Sequence, residues 1–379
     1  MKQPERYVEP RLTQYLFDRA SRTLTPLSGT FELSPVCNLA CKMCYVRKTP
    51  AEVAASPRPP VGLIQWLSIA EQARDAGMLY LLLTGGEPFL WQDFWPLYER
   101  LSTMGFLISI NSNGTLLDEA RVARLAEHPP TRINITLYGA GNETYEALCG
   151  RSGMFDRVDR AITLLRQAGI LVKLNCSLTP HNAGDLERIV SYAAERDLIL
   201  EVNTYMFPPL RRDPAMVGRN DRFTPAETAH YHMERYRLQR GEEDFTRFLQ
   251  NILRGIAPPP GLDEDCVDPV DGTISCRAGN ASFWVTWDGW LTPCGMMPKP
   301  RIELKGKPFR EAWSELTRVS AAQRLSGTCT GCQNRRICAA MAMAETGSVS
   351  GIPKYLCEMV WAMRTEAARL LAERQKPTT

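Results

Sequence analysis

Ser34-Pro35-Val36-Cys37-Asn38-Leu39-Ala40-Cys41-Lys42-Met43-Cys44-Tyr45 is the stretch whose reading decides the fold. Its three cysteines are separated by three and then two residues on one short loop. An iron-sulfur cube takes one thiolate per iron. A set of three therefore leaves one iron open to an exogenous ligand, and chemistry can happen there. The spacing alone also admits zinc, which favours a closed set of four ligands, or reduced thiols in a core.

Outward from that loop, the apolar run Met78 to Leu83 reads as a buried strand that enters Thr84-Gly85-Gly86-Glu87-Pro88. The glycines permit close approach of a ligand, and Glu87 offers an acceptor to an ammonium group. Strands are expected at 31–35, 78–84, 105–111, 132–138, 170–178 and 199–206. Between them lie helical patterns such as Ile69, Ala73 and Ala76. This alternation predicts an α/β fold, a partial (β/α)6 barrel with a parallel sheet. Polar residues fall at the strand ends: Asn111 and Asn113 on the third, Thr136 and Tyr138 on the fourth, Asn175 and Ser177 on the fifth. Barrel enzymes build active sites at that end. Asn111 and Asn113 read equally as an asparagine-capped turn.

The cysteine loop and the Gly-Gly-Glu-Pro turn, in this order, resemble the radical S-adenosylmethionine superfamily. The resemblance implies that Cys37, Cys41 and Cys44 hold a 4Fe-4S cluster whose open iron is chelated by the amine and carboxylate of S-adenosylmethionine. Gly85, Gly86, Glu87 and Pro88 would hold the amine, and Tyr45 would lie beside the adenine. Asn111, Asn113, Thr136, Asn175 and Ser177 complete the expected cofactor set, with Thr136 as the ribose hydroxyl. Tyr138 stands where related members carry an acid. No residue is singled out as the catalytic base.

With 379 residues, 44% of them hydrophobic and 23% charged, the chain has material for two domains. It shows no apolar run of spanning length and no secretory pattern, so a cytoplasmic protein with no membrane partner is expected. A formal charge of +3 is too small to argue for nucleic acid. Twelve cysteines in a long chain without an export signal point to metal rather than disulfides. Cys149 and Cys176 stand apart and read as ordinary buried thiols.

A proline- and glycine-rich linker at 257–263 precedes seven further cysteines: Cys266, Cys276, Cys294, Cys329, Cys332, Cys338 and Cys357. Ser282 to Thr292 alternates large apolar residues around Asp288-Gly289, a hairpin signal. Residues 264–360 resemble the SPASM extension, which carries two auxiliary iron-sulfur clusters of the 4Fe-4S type. By that resemblance Cys329, Cys332, Cys338 and Cys357 close one cluster, and Cys266, Cys276 and Cys294 hold three corners of the other. Ala342 occupies the position of the missing fourth cysteine. Asp265, Asp268, Asp271, water or a substrate group would complete that cluster, and zinc remains the alternative for the Cys329–Cys338 loop. The expected organisation is a 1–30 extension, a 31–256 barrel, the 264–360 auxiliary domain and a 361–379 helix.

Together the resemblances imply reductive cleavage of S-adenosylmethionine to a 5'-deoxyadenosyl radical and oxidative modification or crosslinking of a ribosomally made peptide. The alternatives are oxidation or rearrangement of a small metabolite, and a non-catalytic iron-sulfur electron carrier. Gly295 follows Cys294 where sulfatase-maturing relatives place an aspartate, which disfavours formylglycine formation. The 36 residues before Cys37 fall below ordinary domain size. Leader binding is therefore expected from a separate partner protein, from the region 209–262, or not at all. The expected reductant is a flavodoxin or ferredoxin.

Overall fold

Six parallel strands lie side by side, and in the central ones apolar residues fall at every second position. The structure, a computed structural model, describes residues 11–255, 272–274, 276–330, 332 and 338–374. β1 (Ser28–Glu32), β2 (Tyr80–Thr84), β3 (Leu107–Ser112), β4 (Arg132–Thr136), β5 (Val172–Ser177) and β6 (Ile199–Asn203) are parallel, each bonded to the next. Ile108, Ile110, Ile133, Ile135, Leu174 and Cys176 are buried and belong to one core with helix residues such as Leu97, Leu125 and Leu165. The intervening positions put Asn111, Asn134, Thr136, Asn175 and Glu201 on the opposite face, since successive side chains alternate. The sheet is not a closed barrel: β6 pairs with β5, and β1 turns its free edge to the C-terminal segment.

That segment supplies β7 (Ser282–Val285), β8 (Trp290–Thr292) and β9 (Ile302–Glu303). β7 runs parallel to β1, with Ser28 opposite Ser282 and Phe31 opposite Val285. β8 and β9 follow antiparallel. The expected hairpin is present, turning at Gly289 with φ +85°. It is no separate appendage, because it extends the barrel sheet into nine strands. β1 begins three residues earlier than apolar spacing suggested and ends before Leu33. Pro35 lacks the N–H needed to continue a ladder.

The helices Pro225–Arg240, Glu242–Leu253 and Lys354–Arg374 form a second cluster around Met233, Phe245, Leu249, Met359 and Met363. Thr224 starts the first of them with a reciprocal cap to Glu227. The C-terminal helix therefore packs on these two helices. Arg222 and Glu345, 2.5 Å apart with side chains 5% and 4% exposed, tie this layer to the helix Ala339–Thr346. The linker at 257–263 lies outside the described residues.

Candidate active site

The strand ends of β1 and β2 bring the two motifs together backbone to backbone. Gly86 N donates to Ser34 O at 2.7 Å and Glu87 N to Val36 O at 3.0 Å. A Cβ on Gly86 would stand 2.6 Å from the Val36 carbonyl carbon and 2.7 Å from Pro35 O. Gly85 has φ +155°, where a Cβ would meet the Ser34 backbone. The glycines thus serve the approach of the cysteine loop itself, not only of a ligand. Glu87 is fully buried. Its Oε2 accepts from Asn113 N at 2.8 Å; its Oε1 accepts from Ser112 Oγ at 2.9 Å and Phe89 N at 3.3 Å. Burial raises this carboxyl to about 7 against those lowering bonds. Glu87 therefore clasps the end of β3 to the turn.

Asn113 passes that order on to the thiols. Its Nδ2 donates to Asn38 Oδ1 at 2.9 Å and to Cys37 Sγ at 3.6 Å, and Asn38 in turn donates to Thr115 Oγ1 at 2.8 Å. Burial pushes the Cys37 thiol up to about 12, and raises that of Cys44, whose Sγ accepts from Arg47 N at 3.3 Å. Cys41 is held the other way. A hydrogen bond from the Cys149 thiol, and another from the Tyr138 hydroxyl, lower it despite burial. Cys149 is thus a neighbour of the cysteine loop and not a bystander. It ends the helix Asn142–Cys149, whose Cys149 and Leu148 carbonyls accept from Ala40 N at 2.9 Å and Lys42 N at 3.2 Å. Nothing in the local spacing announces this contact, because it is made by a segment about a hundred residues downstream.

The inner face of the sheet assembles the remaining strand-end residues. Asn111 stands opposite Asn134 and accepts its Nδ2 at 2.7 Å, Thr136 stands opposite Asn175, and Ser177 opposite Asn203. Glu201 is paired with Lys173. The Oδ1 atoms of Asn134 and Asn175 are buried without a partner among the described residues. Tyr45 stands elsewhere. With Leu210, Trp287 and Trp290 it lines a cavity of about 540 Å³ between the cysteine loop and the β7–β8 hairpin.

Comparison with known proteins gives this geometry a family. The Radical SAM superfamily pattern matches residues 31–193. The Probable GTP 3',8-cyclase of Metallosphaera sedula is 32% identical over 287 residues, which cover 74% of this chain and 83% of that protein. The chain belongs to the radical SAM superfamily. The AdoMet-dependent heme synthase of Methanosarcina barkeri is 24% identical over 340 residues, 86% of this chain and 94% of that one. The mycofactocin maturase MftC of Mycolicibacterium smegmatis is 25% identical over 383 residues, 97% and 90% of the two chains. Among solved structures, Streptococcus suis SuiB bound to precursor peptide SuiA superposes with a TM-score of 0.64 at 17% identity, covering 94% of this chain and 84% of that one. The structure of anSMEcpe with bound AdoMet gives 0.64 at 19% identity, covering 92% and 95%. These two likenesses establish a shared fold.

Radical SAM enzymes use S-adenosylmethionine and a 4Fe-4S cluster, and the residues present fit both. Among the described residues no three His, Cys, Asp or Glu groups converge on one ion. A cube asks instead for one thiolate per iron, and three neighbouring thiols supply this for three of its four irons. The orphaned Asn134 and Asn175 oxygens offer acceptors to a ligand's hydroxyl or ammonium groups.

The C-terminal thiols divide differently from expectation. Cys338 is raised by burial and by the neighbouring Cys276 and Cys294, whereas Cys329 is raised by burial, Cys357 and Cys332, and Cys357 by burial and Cys332. Cys338 heads the helix Ala339–Thr346, whose Ala339, Ala340 and Met343 pack with Met297 beyond the hairpin, and that packing carries its thiol toward Cys294. Cys266, Asp265, Asp268 and Asp271 lie outside the described residues. Gly295 has a packing reason: a Cβ there would stand 2.8 Å from the Trp284 ring.

Proposed function

We propose that this radical SAM enzyme oxidatively modifies or crosslinks a ribosomally made peptide. When bound to Cys37, Cys41 and Cys44, the cluster supplies the electron that cleaves S-adenosylmethionine and so delivers a radical able to take hydrogen from an unactivated carbon. Asn113 holds Cys37, the Cys149 thiol and Tyr138 hydroxyl donate to Cys41, and Glu87 positions Asn113. Gly85, Gly86 and Pro88 set the turn, while Asn111, Thr136, Asn175 and Ser177 line the cofactor's side of the sheet. Cys276, Cys294 and Cys338 on one side, and Cys329, Cys332 and Cys357 on the other, would hold two auxiliary clusters within residues 264–360, with Cys266 as a further candidate ligand. Such clusters suit an overall oxidation, because the substrate must give up an electron after losing hydrogen.

The observation that carries the peptide reading is the wide cavity of about 540 Å³ opening beside Tyr45, walled by the cysteine loop and the hairpin. SuiB, whose fold is shared over 94% of this chain, has been solved with a precursor peptide. Among the described residues no helix is long and apolar enough to cross a membrane. The reaction would take place in the cytoplasm with a flavodoxin or ferredoxin as reductant and, where a leader is used, a separate leader-binding protein. Anaerobic co-expression with a candidate precursor peptide should yield a product lighter by two hydrogens in mass spectrometry. Release of 5'-deoxyadenosine with an unchanged peptide would reject the substrate class. A second reading, a small-metabolite substrate, is favoured by the likeness to the heme synthase over 94% of that protein.

A further inference from the structure

We propose that the cavity beside Tyr45 binds a carboxylate of the substrate, with Arg211 as the residue that holds it. The proposal rests on the reading of this cavity as the substrate's. Among the described residues its walls carry six cationic side chains, Lys48, Arg58, Arg211, Arg212, Lys299 and Arg301, against one carboxylate, that of Asp288. Two of the six are answered from outside the wall: Arg58 by Glu303 at 2.8 Å and Arg211 by Glu32 at 2.6 Å. Among the described residues the balance of six positive and three negative groups is +3. Charge of one sign gathered in a concave, low-dielectric site concentrates ligands of the other sign.

Arg211 is the buried member of the set, its side chain 11% exposed, and its partner Glu32 is fully enclosed. The pair is one-pronged. Arg211 Nη2 and Trp284 Nε1 both donate to Glu32 Oε2, at 2.6 and 2.9 Å. Arg211 Nη1 and Glu32 Oε1 are buried with no partner among the described residues. A guanidinium presents a fork suited to two acceptor oxygens, and a buried donor left unmade is costly. Arg211 lines the cavity and Glu32 does not, so a substrate carboxylate there would supply the acceptor that Nη1 lacks. Arg58 and Arg301 lie 4.3 and 4.2 Å from the Trp290 ring, which fixes further positive charge on the same wall. Among the described residues no lining residue comes from the Gly85–Pro88 turn or from β2 to β5, so this space is distinct from the inner face that carries the cofactor residues.

The carboxylate's source is a peptide C-terminus or an acidic side chain, and three probes separate them. Ligand-observed NMR on the anaerobically purified holoenzyme would compare N-acetylleucine, N-acetylleucinamide and the α-amide of N-acetylaspartate. N-acetylleucine or the aspartate amide should bind about tenfold or more tightly than N-acetylleucinamide, as a charge-assisted hydrogen bond provides. Whichever acid binds names the source. Arg211→Met should reduce that acid to the level of the neutral amide, while Arg254→Met, outside the cavity, should change nothing. Because Arg211→Met strands Glu32, the double variant Glu32→Gln/Arg211→Met provides a charge-free pair whose folding circular dichroism checks; it too should lose acid binding. Equal binding of acids and amide, no binding of either acid, or undiminished acid binding by the double variant would overturn the proposal. None of these outcomes bears on the two-hydrogen mass loss, and an unchanged peptide alongside intact acid selectivity would reject the peptide reading alone.

Discussion

Gly86→Ala tests the contact that joins the two motifs. The added methyl would stand 2.6 Å from the Val36 carbonyl carbon and 2.7 Å from Pro35 O, all of it backbone that cannot swing aside as a side chain would. Relief requires the turn and the cysteine loop to part, which breaks Gly86 N to Ser34 O and Glu87 N to Val36 O. Overpacking of a well-packed site costs roughly 1–3 kcal/mol, and two hydrogen bonds contribute about 0.5–1.5 kcal/mol each. The expected loss is about 2–6 kcal/mol, read as a shift in urea midpoint at unchanged m-value. Because Cys37 follows Val36 directly, iron retained after anaerobic reconstitution should fall in parallel. Gly184→Ala is the control: nothing lies within 4 Å of its added methyl, and its effect should stay within about 0.5 kcal/mol. A Gly86→Ala protein with wild-type midpoint and full iron would refute the reasoning that these glycines exist for the loop–turn contact.

The raised carboxyl of Glu87 makes stability depend on pH. Its folded value, about 7 against an ordinary 4.5, means the native state holds the extra proton, so the contribution is complete below 4.5 and disappears as pH climbs through 7. Urea midpoints of the wild type should fall by about 3 kcal/mol equivalent across that window, and Glu87→Gln should flatten the slope; an equal slope in the variant would exclude Glu87 as its source. Cys41→Ala should lose iron from the amino-terminal site, whereas Cys149→Ala should retain it with an altered absorption spectrum, and iron loss in both to the same degree would make Cys149 a ligand. Cys338→Ala and Cys276→Ala should perturb the same Mössbauer component, distinct from the one changed by Cys329→Ala. Finding Cys338 grouped with Cys329 would restore the partition that the SPASM resemblance implies. Arg222→Met leaves the buried Glu345 without its cation, with only the Tyr205 hydroxyl still donating to it, so unfolding free energy should drop by about 3–5 kcal/mol, and a loss below 1 kcal/mol would show that the pair is solvated.

The thiol spacing at Cys37, Cys41 and Cys44, the Gly85–Pro88 turn and the alternating strand patterns are local signals, and they sufficed for the parallel α/β sheet, the family resemblance and the hairpin at Ser282–Thr292. Period-two and period-3.6 patterns record which face of an element is buried, so they survive without knowledge of partners. Contacts between distant segments leave no such record. The Cys149 thiol against Cys41, the fusion of β7 to β1, Cys338 beside Cys294 and the half-answered pair of Arg211 with Glu32 each depend on where two independent stretches of chain come to rest. Packing at close density decides those meetings, because a side chain's neighbours in space are set by how whole helices and strands fill volume, not by the residues on either side of it.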